Sequence, residues 1–357
     1  MVTLLDCINR IPSVINTICD KEGEAFADFR SKYADRIKDI DEIILIGSGT
    51  SNTSGVTAKP FLERVSGIRV FAVVPDEYIN DGTVYDKNAL YVFLSQTGTS
   101  KMVSKLMQKL TGIGLSCISF TQSPDTMLAK ESPCHICLNC GPEEYGMRTI
   151  GYTASVLDLM WLGVVIGEMR GTVTKEEEEA YKADARRAAE NHRNIVEATH
   201  VWFRKNQRAI MRSRCVIFTG TDQLYGVAKE AAVKFWEMPQ VISMGYELEE
   251  GLHGPNYGYD YPHCVVVLND GGRNGEKAKS LARYMKDVFH NGYVIGSDTV
   301  DDRDLHFSPA STWFWALEYS AAVQTFAYDL TIAGGRDLMA KHDLSVMESY
   351  FTTHQGW

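Results

Sequence analysis

The sequence predicts an α/β protein built as two parallel sheets, each covered by helices on both faces in three αβα layers. Three observations predict it. Apolar strands empty twice into loops crowded with glycine and hydroxyl residues: Ile43-Ile-Leu-Ile46 into Gly47-Ser-Gly-Thr-Ser-Asn-Thr-Ser-Gly55, and Tyr91-Val-Phe-Leu94 into Ser95-Gln-Thr-Gly-Thr-Ser100. Val103, Leu106, Met107 and Leu110 then recur at the three-and-four spacing of one buried helical face. The strand-to-loop pattern returns once, Val216-Ile-Phe-Thr-Gly220 matching Ile43 to Gly47 and Val265 to Gly272 matching Tyr91 to Gly98, at offsets of 173 and 174 residues. Two related α/β units in a pseudo-two-fold repeat follow.

Bulk properties set the boundaries. A chain of 357 residues, 45% hydrophobic and 23% charged, can hold two sizeable cores. A formal charge of -10 with no basic stripe argues against a nucleic-acid partner, so an anionic substrate must be caught by local donors. The longest apolar run, Leu159 to Ile166, is too short to span a bilayer, and the N-terminus lacks a signal-peptide pattern. The expectation is a cytoplasmic protein with no membrane partner, its eight cysteines free thiols.

In chain order, residues 1–30 read as an N-terminal helical segment and 31–172 as the first unit. In the first loop the Gly-x-Gly at 47–49 lacks the third glycine of a dinucleotide fingerprint, and hydroxyls crowd it instead. After the second loop, the first-turn amides of the helix have no internal partners and carry the positive end of its dipole, which suits a phosphate. Ser95, Gln96, Thr97 and Ser100 would add side-chain donors. Cys134-His-Ile-Cys137-Leu-Asn-Cys140 has ligand-like spacing, yet it also reads as a short strand that points Cys137 away from Cys134 and Cys140. The strand reading is preferred, with no metal or other cofactor expected.

Residues 173–205 read as a solvent-facing helical linker whose run Glu176 to Glu179 is a solvated helix start, and 206–335 as the second unit. Its loops carry Asn269-Asp270 where the first unit has Ser95-Gln96, and Asp222 where the first has Gly49. Carboxylates repel phosphate, so the first unit is the anion binder. Glu230, Lys234 and Glu237 share one face of a helix whose neighbours Ala231, Ala232, Val233, Phe235 and Trp236 suggest burial. Together with His253 in Glu250-Gly-Leu-His-Gly-Pro255 they form a candidate acid/base group. Residues 336–357 form a tail.

Gly47-Ser-Gly-Thr-Ser51, Ser95-Gln-Thr-Gly-Thr-Ser100, Glu230-Ala-Ala-Val-Lys-Phe-Trp-Glu237 and Glu250-Gly-Leu-His-Gly-Pro255, in this order, resemble the double sugar isomerase (SIS) domain family. The chain is similar end to end to the isomerase half of glucosamine-6-phosphate synthase and to the fructosamine-6-phosphate deglycases. The resemblance implies two flavodoxin-like SIS domains and a phosphorylated sugar-amine substrate. By that resemblance the phosphate-binding side chains fall on Ser95, Gln96, Thr97 and Ser100, with Ser48, Gly49, Thr50 and Ser51 on the sugar side. The proton-shuttling glutamate falls on Glu237, the active-site lysine on Lys234 and the ring-opening histidine on His253. Because relatives contribute that histidine across a dimer interface, the resemblance implies a homodimer or higher homo-oligomer, and the tail is expected over the active site.

Departures from the synthase pattern direct the choice of activity. About forty residues precede the first strand, so no glutamine-hydrolysing domain is expected. In the tail, Val346 stands in the register of the synthase's Schiff-base lysine, and Lys341 is nearby but out of register. Glu143-Glu-Tyr-Gly-Met-Arg-Thr149 replaces a serine-threonine-lysine run, leaving Arg148 as a candidate contact for a substrate carboxylate. The expected activity is removal of an amine from a 6-phosphorylated fructosamine. The alternatives are an aldose–ketose isomerase or amino-sugar-phosphate deaminase, and a sugar-phosphate sensor without turnover.

Overall fold

A computed structural model describes residues 2–340 and 345–354. By contact density the chain divides into two compact units. One comprises Val14–Glu143, Ile150–Lys182 and Ala340–Trp357; the other comprises Met1–Ser13, Glu144–Thr149 and Ala183–Met339. Each holds one five-stranded sheet.

The first sheet consists of β1 (Glu42–Ile46), β2 (Arg69–Val73), β3 (Ala89–Leu94), β4 (Ser116–Thr121) and β5 (His135–Cys137), in the order β2-β1-β3-β4-β5 and parallel throughout. All residues of β3 and β4 are buried, as expected of inner parallel strands covered on both faces. On one face Ile44, Ile46, Tyr91 and Phe93 meet Val103, Leu106, Met107 and Leu110 of the helix Lys101–Gly112, which is the stripe read from sequence. Across the sheet, Gly55 of the helix Thr50–Ser66 approaches Leu45 of β1. That helix in turn packs closely against the helix Ile150–Arg170, where Gly163 lies against the Leu62 backbone.

The helix Ile150–Arg170 corrects one reading of the chain. The apolar run of eight residues extends in space to a 21-residue helix long and apolar enough to cross a membrane by length and composition, but its apolar window is wholly buried. Thr153, Ser155 and Asp158 precede the apolar run in the same helix and are nonetheless buried.

The second sheet consists of β6 (Cys215–Gly220), β7 (Ile242–Glu247), β8 (His263–Asn269), β9 (Gly292–Gly296) and β10 (Leu305–His306). Its order, β7-β6-β8-β9-β10, reproduces that of the first, again all parallel. The repeat extends to single dihedrals. Gly49 and Asp222, 173 residues apart, precede equivalent helices at φ 56°, ψ -128° and φ 55°, ψ -128°.

The helix Lys175–Ile210 is amphipathic rather than solvent-facing: Ala185, Ala188, Ile195, Trp202 and Phe203 are buried. Its acidic start is not fully solvated either. Glu178 is buried and bridges Lys175 and Lys182, each at 2.8 Å. Burial alone would raise its carboxyl; the two ammonium groups outweigh that and hold it at about 2.

All eight cysteines are free thiols. Cys134 and Cys140 are buried and Cys137 is half-buried on the other face of β5, the alternation of a strand. Burial pushes the Cys134 and Cys140 thiols up to about 12, so neither offers a thiolate at neutral pH. Among the described residues no three His, Cys, Asp or Glu side chains group to hold a metal ion.

Candidate functional site

In the 2-1-3-4-5 order, the chain leaves β1 toward one face of the sheet and β3 toward the other, which opens a crevice at the carboxyl ends of these neighbours. The loops that meet there are residues 47–49 and 95–100. Ser48, Gly49, Thr50 and Ser51 turn into the helix Thr50–Ser66, whose first amides point back over the loop: the Asn52 and Thr53 N–H groups donate to the Gly49 carbonyl at 2.9 and 3.0 Å. The φ of Gly49 lies in a region that L-residues with a Cβ rarely enter, so glycine makes this turn without the strain that a Cβ would bring.

In the second loop the Gly98 N–H donates to the Ser95 carbonyl at 2.9 Å, a tight turn that presents Thr97, Thr99 and Ser100 around the start of the helix Lys101–Gly112. Thr97 and Thr99 share a hydrogen bond of 2.8 Å between their hydroxyls. Ser48, Ser95 and Ser100 make no side-chain hydrogen bond among the described residues, and Ser100, though the N-cap, does not cap with its hydroxyl. These hydroxyls and the helix terminus form a set of donors suited to a phosphate dianion. Against the start of this helix lies the tail: Thr353 accepts the Lys101 N–H at 3.0 Å, and His354 pairs with Ser100 as an antiparallel bridge.

Gln96 behaves differently from its neighbours. Its amide nitrogen donates to Glu143 at 3.1 Å, and Glu143 also accepts the Ile150 and Gly151 N–H groups at 2.9 and 3.1 Å, at the start of the long apolar helix. The side chain passes so close to Gly151 that an added Cβ would sit 1.8 Å from the amide oxygen. Sequence reasoning treated Gln96 as one more donor for the ligand and missed Glu143. The available signal was an acid a few residues ahead of a long apolar helix.

In the other unit, the helix Gln223–Glu237 brings Glu230, Lys234 and Glu237 together as their spacing predicts. Lys234 Nζ lies 3.2 Å from Glu230 and 2.5 Å from Glu237; Glu230 and Lys234 are fully buried, while the Glu237 side chain is 36% exposed. Burial disfavours the Lys234 ammonium, yet the two flanking carboxylates outweigh it and raise its pKa above the ordinary value. Lys234 is therefore a fixed cation rather than a free amine. Trp236, expected inside, is half exposed and tied by its indole N–H to the Ser243 carbonyl at 2.9 Å, because the helix turns that position toward the edge strand β7. The Arg336 guanidinium caps the end of this helix, donating to the Glu237 carbonyl at 2.7 Å and to that of Met238.

His253 follows the short helix Leu248–Gly251 and is exposed, its Nδ1 2.9 Å from the Glu249 carbonyl and 3.7 Å from the Glu249 carboxylate. It makes no hydrogen bond to Glu237 among the described residues. Arg148 is half-buried in the segment Glu144–Thr149, Val346 is exposed, and Lys341 lies outside the described residues.

At the second switch point, the loops after β6 and β8 carry Asp222 and Asp270, and Asn269 is spent on the Asp298 carbonyl at 2.7 Å. Asp298 in turn holds Lys279 at 2.9 Å. The second repeat thus places carboxylates, Asp222 and Asp270, at loop positions where the first carries Gly49 and Gln96.

Known proteins match this architecture. Over 259 residues the chain is 25% identical to the glutamine–fructose-6-phosphate aminotransferase (isomerizing) of Helicobacter pylori, covering 71% of this chain and 40% of that protein. The chain thus spans less than half the length of that curated relative. A structure from Clostridium difficile 630, described as a phosphosugar isomerase, superposes with a TM-score of 0.89 at 23% identity over 98% of both chains. Glucosamine-6-phosphate deaminase from Thermotoga maritima superposes with a TM-score of 0.69 at 22% identity, covering 91% of this chain and 96% of that one. Residues 36–164, which hold the loops 47–49 and 95–100, match the SIS domain family, and the chain carries a SIS domain over that stretch.

Proposed function

We propose that this chain is a phosphosugar-processing enzyme that deglycates a 6-phosphorylated Amadori compound, releasing glucose 6-phosphate and a free amine. The observation that carries the reading is the Glu230–Lys234–Glu237 group: a partly exposed carboxylate at the end of a buried helix, held at 2.5 Å by an ammonium that burial cannot neutralise. Such a carboxylate is oriented, and can take a carbon-bound proton and return it nearby. The cradle of Ser95, Thr97, Ser100 and the helix terminus holds the phosphate, and Ser48 to Ser51 face the sugar.

In the open-chain ketose, Glu237 removes a C1 proton to give an enaminol and delivers a proton to C2. This leaves an iminium between C1 and the amine nitrogen, and water adds to C1 to expel the amine. His253 assists ring opening. The substrate's own nitrogen is the electron sink, so no lysine Schiff base is required. That fits a Lys234 held charged and a valine, Val346, in the tail position. The reading includes a homodimer in which the exposed His253 serves the partner's site. The relatives described as an aminotransferase, an isomerase and a deaminase support phosphosugar chemistry on this fold without deciding among these activities.

The test is release of glucose 6-phosphate, followed with a coupled dehydrogenase, from a panel of 6-phosphorylated fructose–amine conjugates. Release from any conjugate is expected. Silence across the panel with turnover of fructose 6-phosphate or glucosamine 6-phosphate would replace the deglycase by an isomerase or a deaminase. Glu237→Gln is expected to lower turnover by at least the roughly 100-fold of a lost general base while leaving phosphate affinity unchanged.

A further inference from the structure

The segment that carries His253 does not close against the helix Gly275–Val288. Between them lies a cavity of about 280 Å³ that the mechanism above does not use. Leu252, Tyr259, Leu281 and Tyr284 form its apolar lining, and Lys277 and Ser280 stand on the helix side. Tyr259 and Leu281 belong to the core of this unit, so the floor is fixed. Tyr284, half exposed, is braced edge-to-face by Phe289 at 5.6 Å.

Among the described residues, the one cation on the lining is the Lys277 ammonium, which pairs closely with Glu249. Glu249 is also the carboxylate 3.7 Å from His253. One acid thus stands between the lysine of the cavity and the candidate histidine, and the cavity residue Leu252 is the chain neighbour of His253. All three side chains, Lys277, Glu249 and His253, are about half exposed or more. A pair so exposed contributes roughly 0–1 kcal/mol, so Lys277 can exchange Glu249 for another carboxylate at little cost.

An apolar cavity of this size with one exchangeable cation fits a small molecule with an apolar body and one carboxylate. We infer that it receives the amine portion of the substrate, an amino acid with an apolar or aromatic side chain whose carboxylate is held by Lys277. This rests on the deglycase reading and deepens it by naming the amine. The cavity walls select the side chain, Lys277 selects an amino acid over a simple amine, and the shared Glu249 sets both beside His253.

Two conjugates of fructose 6-phosphate test this, one with phenylalanine and one with phenethylamine, which differ only in the carboxylate. The wild-type enzyme is expected to favour the phenylalanine conjugate by on the order of tenfold in kcat/KM, the equivalent of one charge-assisted hydrogen bond, mainly through KM. Lys277→Met, which keeps the aliphatic stem, is expected to erase that preference and to leave the phenethylamine conjugate unchanged. Ser280→Trp, on the exposed side of the helix, fills the cavity; it is expected to raise KM for both conjugates but not for that of methylamine. Retention of the preference by Lys277→Met, or indifference of the phenylalanine conjugate to Ser280→Trp, would overturn the assignment. Should no conjugate turn over, the deglycase reading fails, and calorimetric affinities of the same conjugates for the same variants still decide the cavity.

Discussion

At the residue scale, Glu143 shows how a side chain outside every motif can organise one inside. Its carboxylate receives at least three donors, two backbone amides and the Gln96 amide, and carboxylates are acceptor-only, so these three are matched. Glu143→Gln preserves size and one acceptor oxygen but turns an NH₂ group toward an N–H donor. We expect a stability loss of about 1–3 kcal/mol, the cost of an unmatched buried donor, measured by urea unfolding. A second readout separates positioning from simple capping. Because Gln96 sits within the loop proposed to hold the phosphate, Glu143→Gln should also weaken fructose 6-phosphate binding in calorimetry, whereas loss of stability with unchanged affinity would leave Glu143 only a helix cap. Lys234 is the counterexample, a side chain whose role spacing alone announced: the i,i+4 and i,i+3 acids flank it as the sequence predicts, and burial then makes the group rigid.

At the element scale, the repeat allows one backbone position to be compared with itself. Gly49 and Asp222 hold the same strained dihedrals at the same turn, one with a Cβ and one without. Holding a non-glycine residue there costs about 1–3 kcal/mol. Asp222→Gly should therefore raise stability by about 1 kcal/mol once the added freedom of the unfolded chain is subtracted. Gly49→Ala should incur the full strain and destabilise the turn at residues 47–49. If thermal melts show Asp222→Gly less stable than wild type, contacts of the aspartate outweigh the strain. The strand-to-loop transitions, the stripe on Lys101–Gly112 and the acid–lysine–acid face were legible because each depends on local periodicity. What was not legible depended on the partner of a face. Trp236 looked like core until β7 proved to be an edge strand, and Glu178 looked solvated until lysines three residues before it and four after it closed over it. Glu143 was missed because its partners, Gln96 and the amides of 150 and 151, come together only in space.

At the scale of the whole molecule, buried ionisable groups pull the pH dependence of stability in opposite directions. His192 is buried with its Nε2 unpartnered, and burial lowers it from 6.5 to about 4; His135 is lowered from the same cause. Such a group takes up a proton in the unfolded state first, so its stability is present above pH 6.5 and is lost as pH falls toward 4. Asp158, Glu318 and Asp329 behave oppositely. Burial raises each above its ordinary value, so the native state holds protons that the unfolded chain releases, and stability falls as pH rises through that range. The wild-type profile is thus a sum of opposed slopes, and single variants separate them. Relative to wild type, His192→Leu should gain about 3 kcal/mol between pH 6.5 and pH 4, because burial lowers the imidazole from 6.5 to about 4. Asp158→Asn should gain in the other direction, as pH rises from 4. Urea midpoints of the three proteins at pH 4, 5.5 and 7 decide this: differences that stay constant across the series would mean that neither group titrates differently in the folded and unfolded chain.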